Sequence, residues 1–513
     1  MTPACYQRTR GPPRSRSRTP TEGACPMRPF RPLLALAAVA MALVPAVSQT
    51  AAADSAEPRS APVLAPLGVA EAVCADTPLR LTFDRPVELG SAGQLQVHQA
   101  DDGTLVDIVD LADPGTYQRS IGGALTDYGE VHRWFYEPVV IEGNTASVYL
   151  HYVLDPDREY YVTVDEGFFA GQEGITDKET WRFRTRPAPR RGASELSVDQ
   201  AGGADFCTVQ GAVDFVPENN RHRVTIDVAP GTYHEIVYVP QSKPHLTVRG
   251  QGADDTVISY ANNSVLNGDY AMSDVPARQS YCPRRVLPQP DRFNCWRATF
   301  GVDADDFRLT DVTVHNTTPD GGSQAEAFRG NGDRIVLERV RVLSHQDSLR
   351  LQGRTFMTDS YVEGDVDFVW GDGGVFVQNS ELKSLDIGYV NQVRNDVGEA
   401  GHVFVNTRLT RADSVPDGSV LLGRVETARF PGSQLVFIDS AMDAHIAPVG
   451  WGISDGDCSD AGQLRFWEYG STDLAGQPLD VTGRLACSRQ LTGAEAARWS
   501  NPATLLDGWD PRR

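Results

Sequence analysis

A chain of 513 residues, 41% of them hydrophobic, is long enough for more than one domain and for sizeable buried cores. Its formal charge of −21 becomes −27 once the first 53 residues, with seven Arg and one Glu, are set aside, and this excludes the basic footprint of a nonspecific nucleic-acid binder. With 47 glycines and 33 prolines, the composition favours many short strands over long helices.

The N-terminus reads as a targeting segment over residues 1–53. MRPFRP is a basic start, LLALAAVAMALVPAV an apolar stretch and SQTAAADS a small-residue cleavage region, with Met27 the better initiator. The apolar run is short for a membrane span, so export without an anchor is expected, to the periplasm or outside the cell. Six cysteines follow it: Cys74, Cys207, Cys282, Cys295, Cys458 and Cys487. An even number in an exported chain predicts disulfides. Local pairing gives Cys282–Cys295 and Cys458–Cys487, leaving Cys74 and Cys207 to bridge two domains or stay free. No CxxC or HExxH spacing occurs, so no metal site is expected.

Residues 62–185 carry β-rich or alternating runs, namely PLRLTFDRPV, GQLQVHQ, NTASVYLHY, YYVTVDEGFF and ETWRFRT, separated by turn residues. They predict a small β-sandwich. The stretch resembles bacterial immunoglobulin-like modules, which implies a spacer or binding accessory. A Pro/Arg-rich linker is expected over 186–194.

From residue 195 to 513 one short unit recurs, an apolar strand, a polar residue and another strand. Its copies are FRLTDVTVHN, IVLERVRVLS, FMTDSYVEG, VFVQNSELKS, VFVNTRLTR and LVFIDSAMDA. The aligned polar positions are Asp311, Arg339, Asp359, Asn379, Asn406 and Asp439, at intervals of 28, 20, 20, 27 and 33 residues. A short period with loop insertions predicts an all-β fold, a right-handed parallel β-helix. LTGAEAARWS near the end has helical spacing and predicts a tail helix.

Four stretches carry candidate chemistry: GTYHE (231–235), QAEAFR (324–329), HQDSL (345–349) and DVDFVWG (365–371). Asp347 and Asp367 are one 20-residue coil apart, so stacking sets them side by side, and Gln324 and Gln346 join them. Two carboxylates and two amides suit ester hydrolysis. One carboxylate attacks the carbonyl, a protonated acid serves the leaving alkoxide, and amide N–H groups hold the oxyanion. A cation beside the nucleophile would separate the two acids' pKa values, and Arg424 in VLLGRVE is the candidate. Gly452-Ile453-Ser454-Asp455-Gly456 fits a nucleophile elbow but lacks its strand–turn–helix setting. Trp451 suits either solenoid packing or sugar stacking.

GTYHE, QAEAFR, QDSL, DFVWG and LGRVE resemble the five ordered blocks of the pectinesterases, which read GxYxE, QAVAL, QDTL, DFIFG and LGRPW. The resemblance covers residues 195–500. It implies Asp367 as nucleophile, Asp347 as general acid/base, Gln324 and Gln346 as oxyanion donors and Arg424 as the arginine that holds the nucleophile. It also implies methyl-esterified homogalacturonan as partner, pectate and methanol as products, and no metal or organic cofactor. A polymer partly neutralised by esterification is also repelled less by so acidic a chain. A monomer is expected.

This sequence departs from the blocks at the sugar-binding positions. Glu426 stands where the family carries Trp, and Arg350 where Tyr or Phe commonly follows QDTL. Trp370, which suits either solenoid packing or sugar stacking, and Tyr233, whose place in GTYHE fits a structural role better than a catalytic one, join Glu426 and Arg350 in the candidate substrate-binding set. Three other readings compete: an esterase of the same fold acting on a different esterified substrate, a glycosidase or lyase on the same solenoid, and a noncatalytic glycan-binding protein.

Overall fold

In the N-terminal part the residue pattern becomes two sheets around one core. The computed structural model describes residues 60–113, 117, 119–125, 131–263, 297–455, 457–459 and 462–512. The targeting segment and Cys282–Cys295 lie outside them. One sheet orders Val63–Ala65, Leu79–Thr82, Thr145–Val148 and Val139–Glu142. The other orders Gly68–Val73, Arg182–Thr185, Glu159–Val164, Gln94–Gln99 and Leu105–Asp110. All pairings are antiparallel except that of the first two strands of the second sheet. Alternating burial along Leu79–Thr82 and Glu159–Val164 sends every second side chain inward. Those side chains meet around the buried Trp181, Tyr160, Phe183 and Phe168.

Beyond residue 195 the strands pair in parallel. An 11-stranded sheet runs from Glu195–Val198 through Arg308–Thr310, Ile335–Glu338, Thr355–Thr358, Val375–Gln378, His402–Val405 and Gln434–Ile438 to Arg489–Gln490. Within it Arg308 lies beside Val336, Ile335 beside Thr355, Thr355 beside Val375, Val375 beside His402 and His402 beside Leu435. The residue-number differences of these pairs are the five intervals read from the sequence, so each interval is one turn of the solenoid. A second parallel sheet, of 14 strands, lines another face. Apolar side chains from both sheets fill the interior as stacked rows, with Phe404 on Phe437 at 4.8 Å between ring centroids.

The polar position of each repeat is the corner where the chain leaves the first sheet. All six residues there have φ between 50° and 59°. Asp and Asn tolerate this left-handed conformation best. Arg339, the exception, is held by Asp311 one coil below, Nε donating to Oδ1 at 2.7 Å. Asn406 donates to Asn379 Oδ1 at 2.8 Å in the same way.

The tail helix Gly493–Trp499 starts at Thr492 with a capping box to Glu495, and covers an apolar strip that includes Phe356, Phe376 and Val436. The helix Val209–Phe215 escaped sequence reading because seven residues are too few to show a period. It closes the first coil. Its N-terminus is satisfied by Thr208 and by Glu235, whose carboxylate accepts from Val209 N at 2.8 Å and Gln210 N at 3.0 Å. The last residue of GTYHE is therefore a helix cap, buried and pushed up to about 7 by desolvation.

Disulfides join Cys458 to Cys487 and Cys74 to Cys207. The second ties the N-terminal sheets to the first coil, one of the two outcomes the sequence left open. Asp76 reinforces it by accepting from Cys207 N at 2.9 Å and from Thr208 Oγ1 at 2.6 Å. Arg186 adds bonds to the carbonyls of Ala72 and Gly203.

Candidate active site

Parallel register builds the site. Leu349 pairs with Val369 and Arg350 with Trp370, so Asp347, just before the strand Leu349–Leu351, and Asp367, inside the strand Tyr361–Gly371, stand at equivalent places two residues before a paired position. Asp347 N donates to Val366 O at 3.0 Å, locking that register. Both aspartates take left-handed backbone conformations, φ 67° and 53°. This breaks strand alternation at each position. Phe368 and Val369, which follow Asp367, both point into the core.

Asp367 is buried, and Arg424 grips it with two hydrogen bonds, Nε to Oδ1 at 2.9 Å and a terminal nitrogen to Oδ2. Burial pushes the Asp367 carboxyl above its usual range, and Arg424 opposes this by favouring the ionised form. Asp347, also buried, is pushed up to about 7, first by desolvation and then by the negative charges of Glu326 and Asp367, against Arg297 and Arg394. Gln324 and Gln346 lie half-buried at this end of the coils, with Ala325 N donating to Gln346 O at 3.0 Å. The Gln346 side chain has no hydrogen-bond partner among the described residues, and Ser323 Oγ donates to Gln324 Oε1 at 3.0 Å. The site thus sets two buried acids on neighbouring coils, each bonded to an arginine, with two half-buried amides on the coil of Asp347 and the one before it.

Three of its members were not singled out from the sequence. Arg297 donates to Glu326 through Nε at 2.9 Å and through a terminal nitrogen at 2.7 Å. The same terminal nitrogen donates to Asp347 Oδ2 at 2.8 Å. Glu326 is fully buried between Ala325 and Ala327. A charge in so apolar a run was the available signal, since a buried carboxylate requires a cation. Arg394 is the third omission. It bonds Gln392 Oε1 through Nε at 2.9 Å and lies near both aspartates electrostatically.

The proposed substrate-binding set needs correction. Tyr233 is 2% exposed, and its hydroxyl donates to Ala229 O at 2.9 Å inside the first coil. It packs in the core and cannot meet a polymer. Trp370 is 6% exposed because strand register sets Arg350 beside it. The guanidinium carbons of Arg350, Arg394 and Arg297 lie 4.5, 4.7 and 5.7 Å from its ring centre, so it is no open stacking platform. Glu426 bonds Arg429 at 2.6 Å and acts electrostatically on Arg424 and Asp367. Trp451 stacks on Phe466 in the core. His345 pairs with Asp365 at 3.4 Å, away from the Asp347 carboxyl's partners. Ser454 follows the short strand Trp451–Ile453, and no described helix begins beside it.

The pectinesterase family model matches residues 195–276 and 289–488, more than half of the chain. Pectinesterase 31 of Arabidopsis thaliana is 31% identical over 307 residues, which span 59% of this chain and 90% of that protein. Pectinesterase QRT1 of the same plant is 32% identical over 310 residues, 58% of this chain and 74% of that one. The solved structure of carrot pectin methylesterase superposes with a TM-score of 0.51 at 23% identity, covering 63% of this chain and 95% of the carrot chain, which agrees with the parallel solenoid. On the extent of that match and the share of its relatives it spans, the chain belongs to the pectinesterase family.

Proposed function

We infer that this protein hydrolyses the methyl esters of galacturonan, turning pectin and water into pectate and methanol. The observation that carries the reading is the pairing of a carboxylate gripped by Arg424 with a second, buried acid pushed up to about 7. Burial raises both carboxyls, the bidentate Arg424 favours the ionised form of Asp367, and Asp347 beside it can keep a proton, the division of roles that a carboxylate-based esterase needs.

The ionised Asp367 attacks the ester carbonyl carbon. The negative charge that develops on the carbonyl oxygen is met by the amide N–H groups of Gln324 and Gln346. As the C–O bond breaks, the proton of Asp347 passes to the departing methoxide, giving methanol. The product at this stage is an acyl anhydride on Asp367, with Asp347 now ionised. Asp347 then takes a proton from water, the hydroxide attacks the anhydride, and Asp367 is released as a carboxylate. Both acids end as they began.

Arg350 and Glu426 set the surroundings of this reaction. Arg350 stacks on Trp370 and offers a guanidinium to the carboxylates that de-esterification creates. Export is supported by the two disulfides. Among the described residues no helix is long and apolar enough to cross a membrane. The N-terminal sheets act as an immunoglobulin-like accessory module over residues 62–185, with 186–194 as connector and 195–513 as the catalytic solenoid.

The test is methanol release from highly methylated pectin by the purified chain, without loss of polymer length. Chain scission would instead support a glycosidase or lyase.

A further inference from the structure

Glu326 stands where the family block QAVAL carries valine, and it is a fully buried carboxylate. Such a group is costly to bury and persists only with a dedicated partner. Its partner, Arg297, comes from the segment leading into Phe300–Val302, one coil earlier. The backbones of both residues are tied by one side chain: Asn316 Nδ2 donates to Glu326 O at 2.8 Å and to Arg297 O at 3.2 Å. The guanidinium is therefore fixed before it reaches Asp347. Glu326 occupies two of its nitrogens, and one of these also meets Asp347 Oδ2 at 2.8 Å.

We propose that Arg297 and Glu326 are a positioning pair for Asp347, which select the carboxyl oxygen that carries its proton and keep the acid protonatable beside an arginine. Arg297 has only donors, so Asp347 Oδ2 must accept. In the protonated acid the hydrogen then sits on Oδ1, because the carbonyl oxygen accepts from a cation better than the hydroxyl oxygen does, and from Oδ1 it passes to methoxide as the ester C–O bond breaks. Arg297 alone would hold Asp347 ionised, the wrong state for a general acid. Glu326 offsets that charge at the same guanidinium. The charged groups facing Asp347 are Arg297 and Glu326 from the preceding coils, Asp367 from its neighbour strand and Arg394 from the coil beyond.

The proposal rests on the esterase reading, and the experiment separates the two. The pH dependence of kcat and KM for methanol release is measured for the wild type, Glu326→Val, Glu326→Asp and the double variant Arg297→Met/Glu326→Val. An acid that must be protonated supports turnover below its pKa and loses it above. Removing the Glu326 charge lowers that pKa, so Glu326→Val is expected to move the alkaline limb of kcat to lower pH by about 1 unit or more. KM should stay unchanged, and Glu326→Asp should restore the wild-type limb. The double variant replaces a buried ion pair with apolar side chains and so keeps its fold, which its melting temperature checks. It should lose about tenfold or more in kcat, because the proton is no longer confined to one oxygen. An unmoved limb in Glu326→Val, or wild-type kcat in the folded double variant, overturns the proposal while leaving the esterase intact. Wild-type protein that releases no methanol overturns both.

Discussion

In the N-terminal sheets Arg158 pairs with Asp101 and Arg184 with Asp157, all four side chains between 42% and 62% exposed. In the solenoid Arg297 pairs with Glu326 at 11% and 0%, and Arg424 with Asp367 at 27% and 5%. Surface pairs of the first kind exchange water for a partner at little gain and are screened by salt. Pairs of the second kind carry a desolvation penalty of several kcal/mol per ion, which apolar side chains of similar size would avoid. These N-terminal pairs therefore hold charge where it is cheap, while the solenoid also buries charge, at the two aspartates of the candidate site and in the structural pair of Arg484 with Glu468, 6% and 0% exposed. Both regions are otherwise built alike, from strands with apolar interiors, so the contrast shows where a buried charge must have a bonded partner.

The contrast can be broken most sharply at the nucleophile. Asp367→Ala should abolish methanol release, a loss of about 1,000-fold or more, while the melting temperature stays within a few degrees of wild type. Persistent turnover would remove Asp367 from its role. Next, Gln346→Ala and Gln324→Ala should each lower kcat by about 100-fold or more with little change in KM, as expected of donors to a developing oxyanion. A change confined to KM would make them binding residues instead. The wild-type pH profile is a third handle. With Asp347 pushed up to about 7 and required in its protonated form, kcat should fall as pH rises through that region. A profile flat from pH 6 to 9 would contradict the assignment.

Smaller effects are expected where the regions join and on the N-terminal surface. Cys74→Ser with Cys207→Ser opens a loop of 133 residues and should lower stability by about 2–5 kcal/mol, read by denaturant unfolding, with kcat preserved. An equal loss of kcat would show that the sheets support the site. Arg184→Ala should change neither stability nor turnover measurably, and any clear drop in melting temperature would erase the distinction between the two kinds of pair.

Much of the fold was legible because a solenoid writes its contacts into its period. Strand neighbours sit one coil apart in sequence, so intervals of 28, 20, 20, 27 and 33 residues became register offsets, and the 20-residue spacing of Asp347 and Asp367 became adjacency. Five of the six polar corners suit the preference of Asp and Asn for positive φ, with Arg339 the exception. What the period could not reveal was which side chains turn inward once strand alternation breaks. Tyr233 went into the core and Trp370 under a layer of arginines, although both read as aromatics available to a sugar. The pairing of Cys74 with Cys207, and the meeting of Arg297 with Glu326, join segments separated by 133 and 29 residues outside any repeat copy. The sequence by itself determined the coil, the acid pair and the ester chemistry they suit, because those depend on spacing along one axis. Only the tertiary structure decided which charges surround each acid, because burial and charge balance depend on every coil that packs against it.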